Sequence, residues 1–123
     1  LLYETRHNFG HWVLLINMGD HVEFFDPLGI KMDQELKIVP EYIRAELHED
    51  IPHLTHLLQN VHVVENTTQL QRIDHEINTC GRHVVSRFKM YLDGFTDLPS
   101  YLRLFEKQKE DPDMTVSKLT LLL

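Results

Sequence analysis

The sequence predicts an α+β domain, on three observations. Short apolar runs with β-branched residues, "HWVLLIN" at 11–17, "HVEFFDP" at 21–27 and "VHVVE" at 61–65, have strand character. The stretches at 31–60 and beyond 79 instead repeat their apolar residues at helical spacing. A chain of 123 residues suffices for one core, so 1–123 is read as a single domain. Residue 1 is Leu, and the expectation is a domain lacking its N-terminal part.

The first firm element is the strand at 11–17. "MGD" separates it from 21–27, and a Gly-Asp turn between two such runs predicts a β-hairpin. Pro27 and Gly29 end its second strand. From Lys31 to Asn60 the pattern is helical, with Pro40 suited to a first turn and Tyr42, Ile43 and Leu47 spaced to follow it. A second short helix, "HLTHLLQN", follows Pro52, and the strand at 61–65 ends at Asn66. The polar stretch "NTTQLQRIDHEINT", 66–79, is a loop. Val84, Val85, Phe88, Tyr91 and Leu92 then define a helix starting at 79–80, with Thr79 as N-cap and Gly94 at its end. "LPSYLRLFEKQK" predicts a helix entered through Pro99, and "DPDMTVSKLTLLL" a turn and a terminal amphipathic segment.

Composition narrows the function classes. Twelve Lys and Arg against nineteen Asp and Glu give a net charge of −7, which argues against a nucleic-acid footprint. The one basic stretch, "GRHVVSRFK", reads as an ordinary solvated helix face. No apolar run approaches the roughly 20 residues of a bilayer span, so no membrane partner is expected. A single cysteine cannot form an internal disulfide. His48, His53 and His56 suggest a metal site, but no thiolate or second close pair completes it and Pro52 interrupts the helix between them. No metal and no cofactor are expected. "LRLF" and "LTLLL" read as core or helix-packing surface, or as a partner contact if the terminal leucines are exposed.

The single cysteine, Cys80, falls where unpaired backbone N–H groups and the helix dipole favour a thiolate, with Gly81 beside it allowing close approach. A nucleophilic thiolate needs an imidazole, and the imidazole an orienting group. His11 opens the first hairpin strand and Asp26 closes the second, so a hairpin brings them to one end of the sheet. Attack on an acyl carbon also needs donors for the developing oxyanion. The Cys80 N–H is one candidate, and Gln71 or Gln69 from the preceding loop is the other. Taken singly, each residue has a structural reading: Cys80 a packed thiol, His11 a strand-end histidine, Asp26 a turn residue, Arg82 and His83 a solvated first turn whose charge alternatively favours the thiolate.

The words "GHW", "FFDPLG", "TTQLQ" and "NTCGRHVV" occur in the order His, acid, Gln, Cys. In that order and with those flanks the chain resembles the adenain-like cysteine proteases, the family of the adenovirus maturation protease and its relatives in virophages and Maverick or Polinton elements, akin to SUMO-deconjugating proteases. The resemblance implies a papain-like fold of the adenain type, a central mixed sheet packed against the helix that starts at the catalytic cysteine. It implies Cys80 as nucleophile, His11 as base, Asp26 as its orienter, Trp12 as the aromatic neighbour of the histidine, and Gln71, with Gln69 in reserve, as oxyanion donor. Gln71 precedes Cys80 by nine residues, a longer loop than the family's. The implied activity is endopeptidase cleavage after small residues, Gly-Gly or Gly-Ala, in viral capsid or core precursors, in the virion, the host-cell cytoplasm or a viral factory. Its partners would be the polypeptide substrate and virion proteins. The disulfide-linked peptide and DNA that activate the adenovirus enzyme are not expected for an acidic chain without a second cysteine. The alternatives are a ubiquitin-like-modifier protease with the same triad, or a non-enzymatic virion scaffold or cementing protein that retains the fold.

Overall fold

In the computed structural model, which describes residues 1–122, the hairpin around the Gly-Asp turn is present. Leu14–Asn17 (β3) pairs antiparallel with Val22–Phe25 (β4), Leu14 opposite Phe25 and Asn17 opposite Val22. The run at 11–17 is not one strand, however. Buried positions fall at His11, Val13 and Ile16, a spacing of two and then three, so the pleat changes parity after Val13. Phe9–Trp12 (β2) instead pairs with a strand absent from the sequence reading, Leu2–Arg6 (β1), across a turn with Asn8 in the left-handed region. The expected central sheet is therefore two: the β1–β2 hairpin, and a mixed sheet in which Val63–Glu65 (β5) runs parallel to β4.

Between β4 and β5 lie a 3-10 helix, Gln34–Lys37, and two short helices, Glu41–Glu46 (α1) and His53–Leu57 (α2). Pro40 occupies the N-cap position of α1 rather than its first turn, and Ile43 is buried while Tyr42 points to solvent. After the loop come Cys80–Leu92 (α3), Leu98–Glu106 (α4) and Pro112–Thr120 (α5). Asp97 and Asp111 cap the last two through side-chain acceptance of the Ser100 and Met114 N–H groups, each with Pro in the first turn.

Alternation along β4 builds the core. Phe25 packs with Leu70, Leu98, Tyr101, Phe105 and Val116 on the helical side, while Phe24 faces Tyr3, Val13, Val39 and Ile43 on the other. Glu23 shares the Phe25 side and meets Arg87 of α3 in a fully buried bidentate pair, Nε to Oε2 at 2.8 Å and Nη2 to Oε1 at 2.6 Å. Arg87 also donates to the Phe95 and Thr96 carbonyls at 2.9 and 3.0 Å, which satisfies the guanidinium and ties down the turn between α3 and α4.

The helix expected at 79–80 starts there, but with the opposite face inward. Its buried stripe is Cys80, His83, Ser86 and Arg87, whereas Val85, Phe88 and Leu92 are exposed. Arg87 and His83 thus leave the solvated face assigned to "GRHVVSRFK". Tyr101 donates to Ser86 Oγ at 3.3 Å and its ring lies 5.2 Å from the Arg87 guanidinium carbon, so α4 completes this polar inner face.

Candidate active site

Three local devices bring the sequence-predicted residues together. The first is Gly10. A Cβ there would stand 2.0 Å from the Tyr3 carbonyl oxygen, so only glycine lets β1 and β2 close at the step before His11. The second is the turn "DPLG". Asp26 Oδ1 accepts the Leu28 N–H at 2.7 Å, the Asp26 carbonyl accepts the Gly29 N–H at 2.9 Å, and Gly29 has a φ of +71°. The third is α3, whose first turn packs beside β2 and presents Cys80 to the imidazole.

His11 is hydrogen-bonded to Asp26 and lies beside Cys80. His11 Nε2 donates to Asp26 Oδ1 at 2.7 Å in a buried contact. The imidazole also neighbours Cys80, as do the Trp12 and Gly81 backbone N–H groups, while the Cys80 thiol donates to Asn78 Oδ1 at 3.7 Å. Burial disfavours charge on His11, yet the bonds to Asp26 and Cys80 outweigh it and raise its pKa to about 9. Burial likewise opposes the thiolate, but His11 and the two N–H groups pull the Cys80 thiol below its ordinary value. Asp26 is also held low: burial works against its charge, and the bonds from His11, from Glu35 and from the Leu28 N–H overcome it. The His11 and Cys80 shifts act in the direction of a thiolate–imidazolium pair beside a carboxylate.

Gln71 makes no side-chain bond to the triad; its backbone is fixed from both sides. The Pro27 carbonyl accepts the Leu70 and Gln71 N–H groups at 2.8 and 2.9 Å, which anchors this loop to the Asp26 turn. A Cβ on Gly29 would come within 3.0 Å of the Gln69 nitrogen, so the glycine of "DPLG" is also what lets the loop approach. On the other side the Arg72 N–H donates to Asp113 Oδ2 at 2.9 Å. Gln69 Nε2 is spent on the Gln71 carbonyl at 2.9 Å, whereas the Gln71 side chain is bound to no group among the described residues, its Oε1 buried and unpaired. Gln71 lines a cleft of about 300 Å³ with Leu28, Ile30, Ile38 and Ile73.

Thr79 stands at the N-cap of α3 but does not cap it. Its hydroxyl donates to Asp113 Oδ1, which also receives His83 Nε2 at 2.9 Å. His83 is fully buried, and desolvation keeps it below its ordinary pKa despite Asp113. It is therefore neutral near pH 7 and adds no charge to favour the thiolate, while Arg82 binds Thr120 Oγ1 at 2.8 Å. Gly81 faces only Trp12 Cδ1, where a Cβ would make an ordinary 3.7 Å contact. His53 Nε2 is engaged by the His48 carbonyl at 2.6 Å, and among the described residues no cluster of His, Cys, Asp and Glu could hold a metal ion.

Three supporting residues were not legible as such. Asn66 is buried and clamps Asp26: its Oδ1 accepts the Asp26 N–H at 2.8 Å and its Nδ2 donates to the Asp26 carbonyl at 2.7 Å. Asp113 joins the Gln71 loop, Thr79 and α3, yet in sequence it is only a first-turn acid of a terminal helix. Glu35 is fully buried next to Asp26, in a stretch that read simply as helical. Asn66 and Asp113 bond across 30 residues or more of sequence.

Fold and site define an α+β domain in which His11, hydrogen-bonded to Asp26, lies beside Cys80 at the start of a helix. No family model matches the chain, and no solved structure matches it. It is 31% identical over 134 aligned residues to the uncharacterized protein V9 of the Sputnik virophage, across 98% of this chain and 71% of that protein. The chain belongs to the family of that virophage protein, which points to a viral protein. No helix among the described residues is long and apolar enough to cross a membrane.

Proposed function

We propose that this protein is a cysteine endopeptidase of the adenain type that cleaves viral capsid or core precursors after small residues such as Gly-Gly or Gly-Ala. What carries this reading is the meeting of Cys80, His11 and Asp26, with the His11–Asp26 hydrogen bond at 2.7 Å, the thiol lowered and the imidazole raised. The Cys80 thiolate attacks the scissile carbonyl carbon, and the Cys80 N–H and Gln71 Nε2 receive the oxyanion. As the tetrahedral intermediate collapses, the His11 imidazolium gives its proton to the leaving amine, which leaves a thioester and a neutral imidazole. His11 then takes a proton from water as it attacks the thioester and keeps it, and collapse of the second tetrahedral intermediate expels the Cys80 thiolate with release of the acid product, which restores the thiolate–imidazolium pair. Throughout, Asp26 fixes the ring orientation and stabilises its charged form.

The test is hydrolysis of internally quenched peptides containing Gly-Gly or Gly-Ala, with Val-Val as control. Cleavage at the small-residue bond, abolished in Cys80→Ala, is expected. If His11→Ala cleaves as fast as wild type, the triad reading fails. Cleavage restricted to a folded modifier ending in Gly-Gly transfers the assignment to a modifier protease, and no turnover of any of these transfers it to a virion scaffold.

A further inference from the structure

Glu35 poses a problem of partners. Its side chain is fully buried on the 3-10 helix, both carboxyl oxygens lack a hydrogen-bond partner, and it belongs to no ion pair. The neighbouring Asp26 is equally buried. Its Oδ1 receives His11 and Leu28, but its Oδ2 has nothing. Among the described residues the groups around Glu35 are Asp26, alongside it, and Asp33 and Tyr3, so no cation among them offsets a charge there; His11 lies beyond Asp26. Two buried carboxylates in contact cannot both ionise cheaply. A single proton on one Glu35 oxygen turns it into a donor and gives Asp26 Oδ2 a partner, leaving only the second Glu35 oxygen of the pair without one.

We infer that Glu35 is held as a neutral carboxylic acid that donates to Asp26 Oδ2, making it a positioning residue behind the triad. Asp26 then has its turn N–H, the imidazole and an acid O–H around it, which fixes its plane and keeps its negative charge on the side of His11. Burial together with Asp26 raises the Glu35 pKa to about 10, in line with this. The mounting is rigid. Two residues before Glu35, Asp33 accepts the Tyr3 hydroxyl at 3.1 Å and both the N–H and hydroxyl of Thr55 at 2.7 Å, which ties the 3-10 helix to β1 and α2.

The role in catalysis rests on the protease reading, whereas the protonation and its effect on the thiol do not. The experiment therefore uses two readouts that need no substrate. Difference infrared spectroscopy at pH 7 should show a protonated-carboxyl carbonyl band in wild type that disappears in Glu35→Gln. Alkylation of Cys80 by iodoacetamide across pH should give a profile that Glu35→Gln, which keeps an N–H donor, follows within about threefold, and that Glu35→Leu displaces along the pH axis with at least a tenfold slower rate at pH 6. Absence of the band, or a Glu35→Leu profile coincident with wild type, overturns the inference. If Glu35→Leu does not fold, the infrared comparison of wild type with Glu35→Gln decides. Failure of peptide cleavage with the band present counts against the protease reading alone.

Discussion

Cys80 and His11 shift each other away from their free side chains: the thiol is made more acidic and the imidazole more basic. Removing the imidazole should return the thiol toward its ordinary value. His11→Ala is thus expected to slow iodoacetamide alkylation of Cys80 at pH 6 by about tenfold or more, with a smaller difference at pH 9. On peptide substrates the same variant should lose about 10²–10⁴-fold in rate as general acid–base catalysis disappears. Gln71→Ala should cost about 10²–10³-fold in kcat, the usual effect of losing an oxyanion donor. Gln69→Ala should cost far less, since its amide serves the Gln71 carbonyl; a larger loss for Gln69→Ala would exchange their roles. At this scale the sequence was informative where chemistry sits in short words. "GHW" contains both His11 and the glycine that lets its strand close, and "FFDPLG" contains both Asp26 and the glycine that admits the Gln71 loop. Asn66, Glu35 and Asp113 bear no local mark, because their meaning depends on partners brought close only by folding.

Among the elements, α3 carries most of the consequences. Its position and first residue were legible from the Thr79–Cys80 boundary and the helical spacing behind it. Its orientation was not: Arg87, paired with Glu23, and His83, hydrogen-bonded to Asp113, are turned inward, while Val85, Phe88 and Leu92 are exposed. A hydrophobic stripe identifies the inner face only when the other face lacks a buried partner, and Glu23 on β4 supplies one 64 residues away. Arg87→Ala would strand the Glu23 carboxylate in the core and should destabilise the domain by about 3–5 kcal/mol in urea unfolding. A cost below about 1 kcal/mol would show that the pair is solvated. The break at Val13 was equally hidden, since "HWVLLIN" has the composition of one strand and the parity change appears only when each half finds a different partner.

For the molecule as a whole, proton accounting predicts how stability follows pH. His11, raised to about 9, contributes stability that is fully present below its ordinary 6.5 and is lost as pH rises through about 9. Cys80, lowered from 9.0, acts in the opposite sense, gaining as pH rises toward that value. Asp26, lowered from 3.8, matters only on the acid side, where stability falls as it is protonated. Glu35 has no such counterpart: raised from 4.5 to about 10, it makes the folded state hold one proton more than the unfolded chain across the neutral range. Wild type should therefore lose stability relative to Glu35→Gln by about 1.4 kcal/mol per pH unit between pH 6 and 8. Parallel stability curves for the two proteins would mean that Glu35 is ionised in the fold. The α+β class and the order of most elements followed from strand-like and helical runs. The division into two sheets, which sets His11 on one and Asp26 at the end of the other, is a tertiary choice that only pairing reveals.

The central claim, that Cys80 is a nucleophile activated by His11 for acyl transfer next to a Gly-Gly sequence, is tested most directly by a peptide vinyl sulfone ending in Gly-Gly, with adduct formation followed by mass spectrometry. Wild type should acquire one adduct on Cys80, Cys80→Ala none, and His11→Ala the same adduct at least tenfold more slowly. Equal labelling rates in wild type and His11→Ala would mean an ordinary accessible thiol and would contradict the account.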